Sequence, residues 1–63
     1  MNKKLKARIY EVYGTQADFS LAAQVDETKV SKVVRGRKAL AQDEQKRWAG
    51  LLDCNPDELF QAR

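Results

Sequence analysis

Apolar positions recur along this chain at steps of three and four, and no period-two alternation outlasts a few residues, so the pattern predicts helices and no strands. Leu5, Ile9, Val12 and Tyr13 form the first such stripe, which predicts a helix from Lys3 to Tyr13 with one buried face, ended by Gly14. Thr15 stands where an N-cap belongs, its hydroxyl able to accept a backbone N–H, and Asp18 is an acidic near-match to the capping-box position. The helix opened there runs from Gln16 to Ala23 and turns Phe19, Ala22 and Ala23 inward, its small side chains permitting a second helix to cross closely. Gln24, Val25 and Asp26 make the next break. Val25 anchors inward, and the Asp26 carboxylate faces the free N–H groups of a helix from Glu27 to Arg35. Val30, Val33 and part of Val34 form its inner face, leaving Glu27, Thr28, Ser31, Lys32 and Arg35 mainly outside. Three valines lower its intrinsic helix propensity, so tertiary packing must hold it, and Gly36 closes it.

Residues 37 to 41 connect to a fourth helix from Gln42 to Asp53, marked by Gln45, Trp48, Ala49, Leu51 and Leu52. Asn55 as N-cap, Pro56 in the first turn, and Asp57 and Glu58 at the positive end of the dipole predict a last short helix. It runs from Pro56 to about Gln61 and tucks in Leu59 and Phe60. Trp48, in step with Leu51 and Leu52, belongs at the centre of the core, and Cys54 reads as a small buried hydrophobe.

Composition narrows what such a set of helices can do. The 63 residues, 43% of them hydrophobic, accommodate one small domain, residues 1–63. No run approaches the ~18 to 20 apolar residues needed to cross a bilayer. The start, MNKKLKAR, is positive but leads into no continuous apolar block, which argues against export and for a cytoplasmic location. With no His and one Cys, Cys54, the chain lacks the means for an intramolecular disulfide, a Cys/His zinc site, or an imidazole-based nucleophile. The expectation is a non-enzyme without cofactor, metal or small-molecule substrate.

Twelve basic against nine acidic side chains give a net charge of +3, a mild bias toward anionic partners. The arrangement says more than the total: Lys29, Lys32, Arg35, Arg37 and Lys38 follow one another with no acid between them. Taken alone such a run is a solvated face, but it lies on a short helix, a break and a second short helix, the layout of a helix-turn-helix unit.

The segments TQADFSLAAQVDETKVSKVVRGR at 15 to 37 and WAGLLDCNPDELF at 48 to 60 resemble the lambda-repressor-like (Cro or XRE-type) family of DNA-binding domains. The likeness lies in Thr15-Gln16 opening the second helix, Val25-Asp26 opening the third, Arg35-Gly36 ending it, and the closing Asn55 to Phe60; it covers nearly everything from Leu5 to Phe60. It implies a compact, all-α, five-helix domain with a helix-turn-helix at residues 16–35. Two departures stand out: Gln24 occupies a turn position often held by Gly, and Ser20 a position often held by Ala. A positive φ at Gln24 costs about 1 kcal/mol, which packing offsets.

The major groove, roughly 12 Å wide, admits one helix whose first turn and outer face reach base edges. Glu27, Thr28, Lys29 and Lys32 are then the base-reading candidates. Lys32 donates to guanine O6 and N7, Thr28 offers a hydroxyl or a methyl contact to thymine, and Glu27 accepts from cytosine N4. Glu27 has a plainer role open to it, that of stabilising the helix through its dipole. Phosphate contacts are expected from the residues bordering this helix, Thr15, Gln16, Ser31, Arg35, Arg37 and Lys38, with the Gln16 amide placed at a phosphate by the resemblance. Lys3, Lys4, Lys6 and Arg8 read either as a solubilising helix end or as an arm on the DNA backbone.

The resulting expectation is a sequence-specific, double-stranded DNA-binding transcriptional regulator, of the phage or prophage repressor kind. One unit covers only a few base pairs, so a homodimer is expected, meeting around Leu52, Leu59 and Phe60. An alternative is a protein-interaction module of the same fold, an antirepressor or assembly factor, favoured by Asp26 and Glu27 at the start of the third helix. A nuclease would need clustered carboxylates for metal-assisted cleavage, and the sequence has no such motif.

Overall fold

The computed structural model describes residues 1–60, and in them five α-helices and no strand. They are α1 (Lys3–Tyr13), α2 (Gln16–Ala23), α3 (Glu27–Val34), α4 (Gln42–Leu51) and α5 (Pro56–Leu59). One apolar cluster joins them: Leu5 and Ile9 of α1, Phe19 and Ala23 of α2, the three valines of α3, Trp48 and Ala49 of α4, Leu52, and Leu59 of α5. Leu40 belongs to it as well, although the periodicity marks its segment only as a connection; the Gln45 side-chain amide holds it by donating to the Leu40 carbonyl at 3.0 Å.

The core is organised around aromatic rings. Phe19 meets Tyr13 edge-on with ring centres 5.4 Å apart and Trp48 with ring centres 5.0 Å apart, and Trp48 in turn meets Phe60 at 6.4 Å. Such T-shaped pairs place the positive edge of one ring against the negative face of the next. Trp48 is central, as its register with Leu51 and Leu52 predicts, and Cys54 is half-buried against the same cluster.

Asn2 caps α1, its side-chain oxygen accepting the Leu5 N–H at 3.0 Å, and Gly14 at φ 88° ends it. Leu5 and Ile9 are fully buried, but Val12, expected on the same stripe, is 44% exposed. At ~100° per residue Val12 sits about 60° off the Ile9 direction, past the edge of the face that α1 packs. The Thr15 hydroxyl accepts the Asp18 N–H at 3.1 Å, as the capping pattern requires.

Three helices then end in one way. After α2 the N–H groups of Gln24 and Val25 donate to the Leu21 and Ser20 carbonyls; after α3 those of Gly36 and Arg37 donate to Val33 and Lys32; after α4 those of Asp53 and Cys54 donate to Gly50 and Ala49. This paired closure is the Schellman motif, and it demands a left-handed residue, here Gln24 (φ 60°), Gly36 (φ 81°) and Asp53 (φ 56°). The closures explain why α3 stops at Val34 rather than Arg35 and α4 at Leu51 rather than Asp53. Asp26 and Asn55 hold the N-cap positions of α3 and α5 with extended backbones, but neither side chain makes the expected capping bond. For α5, Phe60 closes the helix by donating to the Pro56 carbonyl at 2.8 Å, and Gln61, the expected end, lies outside the described residues.

Candidate nucleic-acid interface

With Val30, Val33 and Val34 turned into the core, the 3.6-residue repeat sends Thr28, Lys32 and Arg35 to the opposite side of α3. The backbone of α3 lies close to α1 and α2, whereas no Cα of α3 comes within 8 Å of a Cα of α4. Its outer face borders an open groove of about 410 Å³ lined by Gln16, Glu27, Thr28, Ser31, Lys32, Arg35 and Arg37. These come from the first turn of α2, the length of α3, and the segment that follows the Gly36 turn. Three of the four expected base-reading side chains and four of the six expected phosphate ligands thus share one surface.

The groove is cationic. Lys32, Arg35 and Arg37 face a single carboxylate, Glu27, and among the described residues none of the four takes part in an ion pair. Lys32, Arg35 and Arg37 are exposed. Gln16 and Ser31, which also line the groove, are half-buried.

Lys29, grouped with the base readers by sequence, is placed elsewhere. It lies on the other flank of α3, half-buried, with its ammonium bound to the Glu44 carboxylate of α4. One turn further along α4, the Arg47 guanidinium donates to the Gln24 side chain at 3.2 Å, giving the α2–α3 connection a second link to α4. The Thr15 hydroxyl is engaged in capping α2, and Lys38 is exposed just beyond the groove without lining it.

The expected pairing contact needs correction. Leu52 is 0% and Leu59 4% exposed, both inside the chain's own core, so neither presents apolar surface to a second copy; Phe60, half-buried against Trp48, keeps part of its surface outside. Arg8 is no free arm either. Its guanidinium donates to the Leu52 carbonyl at 2.8 Å and the Asp53 carbonyl at 3.4 Å, serving the carbonyls left open where α4 ends, and meets the Glu11 carboxylate at 3.3 Å. Donating to the Glu11 carboxylate raises the Arg8 pKa above its already high ordinary value. Lys3 and Lys4 are exposed.

Several anchoring residues escape the sequence pattern. Asn2 ties the start of α1 to two distant places: its N–H donates to the Val34 carbonyl at 2.7 Å and its side-chain amide to the Leu59 carbonyl. Its place just before an apolar-periodic run is an N-cap signal, so the cap was readable, but the cross-links were not. The Tyr13 hydroxyl donates to the Leu51 carbonyl at 3.0 Å, joining α1 to α4. Among the described residues no cluster of His, Cys, Asp and Glu has the means to hold a metal ion, and no helix is long and apolar enough to cross a membrane. Comparisons with models of protein families, with curated proteins and with solved structures found no match.

Proposed function

We propose that this chain binds double-stranded DNA sequence-specifically by laying α3 into the major groove, and that it regulates transcription in the manner of a phage or prophage repressor. The observation that carries the reading is the convergence of Gln16, Ser31, Arg35 and Arg37 with Glu27, Thr28 and Lys32 around one groove whose cations have no ion-pair partner among the described residues. α2, the Gln24 turn and α3 act as the helix-turn-helix unit, consistent with the resemblance of residues 15–37 and 48–60 to lambda-repressor-like domains. Arg35, Arg37 and Gln16 hold the backbone and set register, while Glu27, Thr28 and Lys32 meet base edges. The protein works in the cytoplasm without a cofactor, as a homodimer reading two half-sites about 34 Å apart.

Selection from a random duplex library at fixed salt tests this directly. The expected result is an enriched G·C-bearing motif whose affinity falls steeply as salt rises, in proportion to the phosphates neutralised. A library that yields no motif together with a flat salt response overturns the proposal. The second reading, a protein-interaction module of the same fold, draws support from the Glu27 carboxylate in the groove, where phosphate would be repelled. That reading requires a partner protein bound with little salt dependence and no retained duplex.

A further inference from the structure

The five cations between Lys29 and Lys38 are not equivalent. Lys32, Arg35, Arg37 and Lys38 make no ion pair among the described residues, whereas Lys29 is held by Glu44. The carboxylate reaches Lys29 from a helix whose Cα atoms all lie more than 8 Å from those of α3, and the link joins side chain to side chain. Glu44 stands in the first turn of α4, where the helix dipole favours its negative charge.

Lys29 and Ser31 straddle the buried Val30, so at ~100° per residue they lie on opposite flanks of α3. Ser31 lines the cationic groove; Lys29 lines the hollow on the other flank, beside Leu21, Gln24, Val25 and Asp26. A helix with side chains is about 10 to 12 Å across and fills a groove roughly 12 Å wide, so both of its flanks face sugar-phosphate walls. An unpaired lysine on the Lys29 flank would add a phosphate contact that is blind to sequence.

Resting on the DNA-binding reading above, we infer that Glu44 sets the strength of the sequence-blind grip on DNA: by binding Lys29 it withholds one cation from the phosphate wall. The restraint falls on the sequence-blind part of the affinity, which cognate and random duplexes share, and leaves the base contacts of Lys32, Thr28 and Glu27 unchanged.

The test is binding of the whole chain to a short random-sequence duplex across a salt series, for the parent, Glu44→Gln, Lys29→Met and the double variant. Glu44→Gln is expected to bind more tightly at low salt, with the log–log slope steeper by about 0.9, so that its advantage over the parent shrinks about 3.5-fold between 50 and 200 mM. Lys29→Met alone keeps the parent slope, and adding Glu44→Gln to it brings no gain. An unchanged slope in Glu44→Gln overturns the inference, as does an equal gain in the Lys29→Met background, which would make the carboxylate a simple repeller of phosphate. A parent protein that retains no duplex at any salt overturns the DNA-binding reading itself, and so the two failures are told apart.

Discussion

Lys32 and Arg37 line one groove from different elements, and the difference separates their roles. Lys32 stands on the outer face of α3, directed away from the three valines, whereas Arg37 follows the left-handed Gly36 at the rim. Under the proposed function Lys32→Ala costs about 1 to 3 kcal/mol on the preferred duplex and relaxes base choice at one position. Arg37→Ala weakens all duplexes alike and flattens the salt slope by about one phosphate. Titrations of both variants on selected and random duplexes check this; equal, sequence-blind losses would remove base reading from Lys32. The outer placement of Thr28 and Lys32 was legible in the sequence because the inward valines at 30, 33 and 34 fix the phase of the helix, whereas Glu27, only about 20° from the Val34 direction, is exposed by its place at the start of α3. The fate of Lys29 was not legible, because its partner Glu44 is fifteen residues away and no periodicity relates the two.

Helix starts and stops were mostly readable because they are local chemistry. Thr15 caps α2 through a bond three residues long, and Gly14 and Gly36 stop their helices at positive φ. The misses come from competing geometry: Asp26 and Asn55 have the right residue type without the bond, and the ends of α3 and α4 were set by Schellman closures. These closures predict two substitutions of opposite sign. Gln24 holds its left-handed conformation at a penalty of about 1 kcal/mol, so Gln24→Gly is expected to stabilise the fold by about 0.5 to 1 kcal/mol in urea unfolding. At Gly36 an added Cβ would find nothing closer than 3.9 Å, so Gly36→Ala has room but takes on the same strain and is expected to lose about 1 to 2 kcal/mol.

In the molecule as a whole, α1 is the strut that neither composition nor periodicity reveals. Asn2 fastens it to the end of α3 and to α5, Arg8 to the end of α4, and Tyr13 to Leu51. These contacts span 32 to 57 residues and depend on the packed fold, which is why the basic group at the start of the chain read as solvated or DNA-bound. Phe19 shows the same dependence from the apolar side, since its ring touches Tyr13 of α1 and Trp48 of α4. Phe19→Ala removes that hub and is expected to cost about 3 to 5 kcal/mol, enough to leave a domain of this size largely unfolded by circular dichroism.

The chain's one tryptophan, Trp48, is 1% exposed and lies outside the cationic groove. Its fluorescence should therefore be blue-shifted in the native state, move to longer wavelength as denaturant admits water, and hold its wavelength when a duplex is added. Core integrity and ligand occupancy can then be followed on separate optical channels in one cuvette, with no label attached.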